Sequence, residues 1–307
     1  MKRQDFRFLF PLRVRWAEVD MQKIVFNAHY LMYFDTAIAD YWRALALPYE
    51  QAMQQLGGDL YVKKASLQYA GSARFDDQLK VGLKCVRVGR SSIEFAGAIF
   101  RNDELLVIGE LVYVFANPAN QTSQPVPDIL REIFESYEDG QNPYTLSIGT
   151  WTELGQAAAQ LRVEVFVREQ GVPFELEYDS EDAGALHAIA HNRLGQVLAT
   201  GRLLAPEPGI GKIGRMAVKQ VMRGSGLGRA ILDALVAAAS TRGDQYVLLN
   251  AQRSAEGFYK RAGFISQGET FEEAGIAHVQ MSRVLYLNDA LGDVDLLEQA
   301  TIAGYLN

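Results

Sequence analysis

Between Ala28 and Ala46 the apolar residues recur at spacings of three and four: Leu31, Phe34, Ile38, Tyr41, Trp42 and Leu45. That period is helical. Met32, Tyr33, Ala37 and Ala39 put further apolar side chains on the other faces, which predicts a helix buried nearly all round. The flanking pattern is different. Residues 6–19 partly alternate, as a half-buried strand does. Further strands are predicted at 60–73, 78–89, 91–101 and 105–116, with turns at Gly89-Arg90 and Asn102-Asp103. One central helix wrapped by an antiparallel sheet is the simplest architecture for this order. Residues 117–125 read as loop, 127–137 as a short amphipathic helix, and 138–143 as a linker.

Beyond the linker, helix and strand alternate. Thr152 is the expected cap of a helix reaching Glu169. Strands are expected at 186–192, 197–204 and 212–218, with a turn at 205–209. The step Arg223-Gly224-Ser225-Gly226-Leu227-Gly228 opens a helix to Arg242, and Gly243 stops it. A strand at 245–250, a helix at 254–262, a strand pair around 264–283 and a mildly acidic tail complete the pattern. The expected organisation is α+β: a first domain over 1–140, a second over 141–285 and a tail over 286–307.

Composition narrows the function. Of 307 residues, 49% are hydrophobic and 22% charged, which is a globular mixture. No apolar run reaches the length that a bilayer demands, and the basic start lacks the apolar core of a secretory signal. Net charge is −7, with −2 in residues 1–140 and −5 beyond, so neither half is a nucleic-acid module. The single cysteine, Cys85, excludes an internal disulfide and a Cys-based metal site. A reducing, cytoplasmic location fits these features. No metal and no tightly bound cofactor are expected.

The second half carries the clearer chemistry. Glycines let backbone N–H groups approach a ligand, and a helix start adds unpaired donors and a positive dipole end. Together they can cradle a pyrophosphate. Taken alone, a glycine step of this kind is more often a tight strand-to-helix turn with no ligand. Its setting resembles motif A of the GNAT N-acetyltransferases: a strand, Arg223-x-x-Gly226-x-Gly228, then a long helix. The run Leu249-Asn250-Ala251-Gln252 followed by Ala255-x-x-Phe258-Tyr259-x-x-x-Gly263-Phe264 resembles that family's second hallmark. Arg162-x-Glu164-Val165-Phe166-Val167-x-Glu169-Gln170 and the stretch around His278 resemble one subgroup. The resemblance spans roughly 145–283. It implies acyl transfer from acyl-CoA, usually acetyl-CoA, to an amine. On that basis the backbone of Met216, Ala217 and Val218 would hold pantetheine. The N–H groups of Arg223, Gly224, Ser225, Gly226, Leu227, Gly228 and Arg229 would hold the pyrophosphate. Asn250 would bond the pantetheine amide, and Tyr259 would protonate the leaving thiolate. The acids Glu175, Glu177, Asp179, Glu181 and Asp182 read either as a solvated loop or as a site for a cationic amine. His187 and His278 read first as strand histidines.

In the first half, Asp20 lies just ahead of a helix start. A carboxylate there can attack a thioester or activate water, while helix N–H groups polarise the carbonyl. A single acid near a helix start is ordinarily only a loop cap. Asp20 with Ile24-Val25-Phe26-Asn27-Ala28-His29-Tyr30-Leu31-x-Tyr33-Phe34-Asp35, and later Phe75-Asp76-Asp77-x-Leu79, resembles the hot-dog acyl-CoA thioesterases of the 4-hydroxybenzoyl-CoA type over roughly 5–135. The resemblance implies that Asp20 is nucleophile or general base. It places an Asn27 backbone N–H at the thioester oxygen, and His29 at the start of the central helix. One departure is Lys23, where members often carry glycine. The resemblance also implies a homodimer or higher homo-oligomer through this domain.

Both halves point to acyl-CoA. The expected protein is a bifunctional enzyme, a thioesterase joined to an N-acyltransferase with an unidentified amine acceptor. Two rivals stay open: an acyl-CoA sensor or scaffold with only one active domain, and a second domain like an acyl-homoserine-lactone synthase. An acyl-CoA panel and S-adenosylmethionine as substrate separate them.

Overall fold

The computed structural model describes residues 1–177 and 179–285. The tail expected over 286–307 lies outside them. The described residues divide into two compact units, 1–145 with 192–195, and 146–191 with 196–285.

In the first unit, β1 (Phe8–Arg13) precedes the long helix α1 (Asn27–Ala44) and a short helix α2 (Tyr49–Leu56). Strands β2 (Asp59–Tyr69), β3 (Gln78–Val88), β4 (Ser92–Arg101) and β5 (Glu104–Ala116) follow, then α3 (Asp128–Glu138). The five strands form one antiparallel sheet in the order β1-β3-β4-β5-β2. This is the helix-wrapping sheet that the hot-dog resemblance implies.

Helix and sheet approach closely because two glycines make room. Gly97 on β4 and Gly109 on β5 are paired partners. A Cβ on Gly97 would lie 2.4 Å from Phe34 Cε1, and one on Gly109 would lie 2.7 Å from Phe34 Cε2. The ring of Phe34 therefore rests on bare backbone, and any side chain there would overpack the core. In the same core Tyr41, Trp42, Phe95 and Phe134 pack on one another, largely edge to face.

Three expectations need correction. Helix α1 is not buried all round: Leu31 and Met32 are 40% and 51% exposed, because the sheet covers only one side. The strand expected over 6–19 stops at Arg13, and Trp16–Glu18 form a single tight turn. Helix α2 has no counterpart in the sequence reading, since it buries only Ala52 and Met53.

The second unit has a seven-stranded mixed sheet, whose first strand β6 (Tyr144–Thr150) starts where a linker was expected to end. It leads into α4 (Trp151–Arg162), which widens into a π-helical turn over Val163–Glu169, then α5 (Phe174–Glu177). Next come β7 (Leu186–Asn192), β8 (Val197–Glu207), β9 (Ile210–Val218), α6 (Leu227–Arg242), β10 (Tyr246–Gln252), α7 (Glu256–Arg261), β11 (Ile265–Glu273) and β12 (Ile276–Val284). The order is β11-β12-β10-β9-β8-β7-β6. The cap of α4 is Thr150, not Thr152. Its N–H and hydroxyl both donate to Glu153 Oε2, at 2.8 and 2.9 Å.

Glu177, Asp179 and Asp182 of the acidic run are not in a solvated loop, while Glu175 stays exposed. Arg162 is 1% exposed and donates to Glu177 Oε1, to the Glu177 carbonyl and to both oxygens of Asp182. Arg202 on β8 pairs with Asp179, Asp182 and Glu181, and Arg215 on β9 with Asp179. Burial disfavours charge on Asp179 and Asp182, but the guanidinium groups outweigh it and hold both carboxyls below their usual value. Their stabilising contribution is therefore complete above about pH 5 and is lost as pH falls toward those lowered values. Replacing Arg162 by Met should cost about 3–5 kcal/mol, because Glu177 would stay buried without its cation and Asp182 would keep only Arg202. Thermal denaturation at pH 7 checks this. A loss under about 1 kcal/mol would mean that the cluster is not holding the loop.

Candidate active sites

In the second unit the site begins with a parting of strands. Strands β9 and β10 pair in parallel from Ile210↔Tyr246 to Ile213↔Leu249. Past that point β9 continues on β8 alone (Thr200↔Ala217, Ala199↔Val218) and β10 on β12 alone. The register of β8 and β9 shifts between Thr200 and Arg202, and Arg215 takes the left-handed φ of 52°. A bulge of this kind bends the strand away from its neighbour. The opening is flanked by Met216, Ala217 and Val218 on one side and Asn250 on the other.

Below it, Gly224 and Gly226 both adopt left-handed φ, 84° and 88°. Nothing lies within 4 Å of where a Cβ on either would stand. The first backbone bond of α6 runs from Ala230 N–H to Gly226 O at 3.0 Å. The N–H groups of Gly226, Leu227, Gly228 and Arg229 precede it and have no partner within the helix. The side chains of the loop are engaged elsewhere. Arg223 forms a two-pronged pair with Glu169 at 2.6 and 2.7 Å, and Arg229 pairs with Asp233 at 2.8 Å. Ser225 Oγ donates to the Met222 carbonyl at 2.6 Å. Lys219, buried at the end of β9, is held by Glu164. The π-helical turn thus clamps both ends of the loop, through Glu164 and Glu169.

A cavity of about 370 Å³ opens beside the parted strands. Phe166, Met216, Asn250, Tyr259 and His278 line it. Tyr259 is 8% exposed, and its hydroxyl has no hydrogen-bond partner among the described residues. Burial pushes that hydroxyl up to about 12, so it is protonated at neutral pH. His278 Nδ1 lies 2.8 Å from the Ile276 carbonyl, which can only accept, so Nδ1 is the donor in that bond. His187, by contrast, is fully buried against Trp151 and bonds the Asp182 carbonyl. Burial lowers its pKa, and its role is structural. Asn250 contacts Glu273 weakly, at 3.4 Å.

In the first unit, Asp20 sits in the turn before α1. Its Oδ1 accepts the Gln22 N–H at 2.8 Å, and its Oδ2 has no partner among the described residues. Lys23, standing where glycine was expected, adopts φ 62°, so the turn keeps the glycine-like conformation. The turn is tied down by Glu18, which the sequence reading passed over. Glu18 is 3% exposed and accepts from Tyr33 O–H at 2.7 Å and Arg15 N–H at 2.8 Å, while its carbonyl accepts the Phe26 N–H. These bonds hold its carboxyl low despite burial. Asn27 is the first residue of α1, so its N–H and that of Ala28 lie at the donor end of the helix. His29 is half-buried, with its Nδ1 unpartnered. The Tyr30 hydroxyl oxygen instead accepts the Ala73 N–H at 2.8 Å. The Cys85 thiol is pushed up to about 12 by burial and by Glu138, which suits a core residue and not a nucleophile.

Comparison with known proteins assigns both units. The acetyltransferase (GNAT) domain model matches residues 154–285, and the thioesterase superfamily model matches 22–108. The uncharacterized N-acetyltransferase YjcF of Bacillus subtilis is 38% identical over 127 residues, covering 41% of this chain and 89% of that protein. The chain belongs to the GNAT acetyltransferases. Its first unit is a thioesterase-superfamily domain. Protein ElaA of Escherichia coli is 32% identical over 131 residues, covering 41% of this chain and 85% of that one. A crystal structure of an acyl-CoA N-acyltransferase from Pseudomonas aeruginosa is 34% identical with a TM-score of 0.43, covering 46% of this chain and 99% of that one. A GNAT domain and a thioesterase-superfamily domain together imply CoA-thioester substrates. Among the described residues, no helix is long and apolar enough to cross a membrane.

Proposed function

We propose that the chain is a bifunctional acyl-CoA enzyme, hydrolysing a thioester in its first unit and transferring an acyl group, acetyl in the first instance, to an amine in its second. The observation that carries the reading is the parted β9 and β10 beside a doubly left-handed glycine loop and a protonated, unpartnered Tyr259.

In the second unit the backbone of Met216, Ala217 and Val218, with Asn250 opposite, receives the pantetheine arm. The N–H groups of residues 223–229 receive the pyrophosphate. The amine nitrogen attacks the thioester carbon and the C–S bond breaks. The leaving thiolate takes a proton from Tyr259, and the amine's proton passes to His278 Nε2 directly or through water. The products are an amide and free CoA. In the first unit Asp20 attacks the thioester or activates water, and the Asn27 and Ala28 N–H groups stabilise the oxyanion. His29 borders that helix start. Thiol release from an acyl-CoA panel, with and without added amines, tests both activities. Release that needs no amine reports the first unit, and amide formation reports the second.

The first unit is also proposed to make the protein a homodimer or higher homo-oligomer. Strand β2 forms one of the sheet's two edges, over eleven residues. Val62 and Tyr69 on it are exposed, as are Leu31 and Met32 on α1. A long edge with apolar neighbours invites pairing. Light scattering of the full chain should give at least twice the monomer mass. A monomer at micromolar concentration would exclude the pairing. A reducing cytoplasm suits the free thiol of Cys85.

A further inference from the structure

Native proteins leave few buried polar groups unmatched, and each such group asks for an explanation. Among the described residues four buried side-chain atoms lack a partner: His29 Nδ1, Glu177 Oε2, Arg202 Nε and Arg215 Nε. The last three belong to residues that line one cavity, the one that Tyr259 and Met216 also line. Glu177 and Arg202 are themselves 1% and 5% exposed. Their remaining atoms are fully engaged. Glu177 Oε1 accepts from Arg162, and the terminal nitrogens of Arg202 serve Asp179, Asp182 and Glu181. Arg215 Nη2 serves the Leu176 carbonyl and Asp179 at 3.0 Å each. What the protein leaves over is one carboxylate oxygen and two guanidinium N–H donors.

We propose that the acceptor is a small amine that also bears a free carboxylate, an amino-acid-like zwitterion whose ammonium is drawn by Glu177 and whose carboxylate is held by Arg215 and Arg202. This rests on the acetyl-transfer reading of the unit. The complement is chemical: a carboxylate accepts guanidinium N–H donors, and an ammonium donates to a carboxylate oxygen. Two further observations favour it. Arg215 is the residue held at left-handed φ at the β9 bulge, directly before Met216, and backbone strain of this kind gathers at binding sites. The cavity, about 370 Å³, is near the lower end of small-molecule sites, which suits a compact acceptor. The acids of the lining, Glu177, Asp179, Glu181 and Glu273, favour a monoanionic carboxylate over a doubly charged phosphate. In the reaction the deprotonated amino nitrogen takes the acetyl group, giving an N-acetyl amino acid and CoA thiol.

The test uses the full chain with acetyl-CoA and follows amide formation. The panel sets the proteinogenic L-amino acids against their carboxamides, their decarboxylated amines, O-phosphoethanolamine and a lysine-containing peptide with blocked ends. The expected result is at least one amino acid with kcat/KM a hundredfold above its carboxamide and its decarboxylated amine. Arg215→Met should raise that amino acid's KM at least tenfold while CoA affinity by calorimetry stays within twofold. Arg215→Lys keeps the charge opposite Asp179 but loses the Nε donor, so it should also raise KM and guards against a misfolded Met variant. Equal or better turnover of the decarboxylated amine, the peptide or the phosphate would overturn the proposal and leave acetyl transfer standing. Unchanged KM in both Arg215 variants would overturn the assignment of the carboxylate. No amide from any amine, with CoA still bound, would remove the acetyl-transfer reading as well.

Discussion

Asp20→Asn should abolish acyl-CoA hydrolysis by the full chain, lowering kcat at least about a hundredfold, while amide formation in the second unit continues. The substitution is nearly isosteric. Its side-chain carbonyl can still accept the Gln22 N–H that Asp20 Oδ1 accepts at 2.8 Å. The turn is also held without the Asp20 side chain, by the Asp20 N–H to the Ile24 carbonyl at 2.9 Å and by Glu18 between Tyr33 and Arg15. The loop should therefore survive, and the thermal midpoint should stay within about 2 °C, since only a surface-turn charge changes. What is lost is the anionic oxygen, Oδ2, that the protein leaves without a partner. An amide nitrogen in its place neither attacks a thioester nor takes a proton from water. Rates of thiol release without amine, on both proteins at matched concentration, decide the matter. Hydrolysis within a few-fold of the parent by a folded variant would return Asp20 to the role of a turn cap.

The legible parts of this chain were those where one element buries one face. Helix α1 and strands β3 to β5 announced themselves because their burial repeats with the helical or strand period. The glycine loop was legible because the residue type and the backbone requirement coincide: Gly224 and Gly226 do stand at positive φ. Strand β6 was missed because it lies at the sheet's edge and exposes Thr145, Leu146, Ile148 and Thr150, so no buried alternating face marks it. The exposed stripe of α1 was misjudged for a related reason. Apolar residues such as Leu31 and Met32 signal burial only if something covers them, and the sheet of the same chain does not.

The charge cluster shows a different limit. Arg162, Arg202 and Arg215 are scattered over more than fifty residues, and nothing in the pattern near each one names its partner. Only the fold brings them to one short acidic segment, 177–182, and so turns an apparently solvated run into the wall of a cavity. Arg162 did carry a signal, as part of the Arg-x-Glu-Val-Phe-Val run, though that signal spoke of family and not of contacts. Lys23 is the converse case. The residue departs from the expected glycine, yet its φ of 62° keeps the conformation, because the bonds around Glu18 and Ile24 determine the turn more firmly than the side chain opposes it.

In the second unit, Gly226→Val should abolish CoA binding, whereas Tyr259→Phe should preserve binding and slow acetyl transfer. Gly226 stands at φ 88° just before α6, a conformation that a β-branched residue strongly resists. Relieving the strain would move the very N–H groups, 226 to 229, that no carbonyl of the helix engages. The open space beyond a Cβ at this position, with nothing within 4 Å, is also the space a pyrophosphate would take. Main-chain donors must supply most of that grip, because Arg223 and Arg229 are already paired with Glu169 and Asp233. Tyr259 differs in kind. Its ring packs edge-on to Phe258 and Phe264, and phenylalanine keeps both contacts. The hydroxyl has no partner to lose, so the variant should fold and bind CoA within about twofold of the parent, with kcat for amide formation about 10²–10⁴-fold lower. Because burial pushes that hydroxyl up to about 12, the parent's rate should show no loss from its ionisation at any pH below about 10. Calorimetric CoA titration of both variants, paired with amide formation, separates the two roles. Normal CoA binding by folded Gly226→Val would make the glycine turn purely structural and take away the main support for acyl transfer. Full activity in Tyr259→Phe would move the proton donor elsewhere in the cavity and leave the CoA site intact.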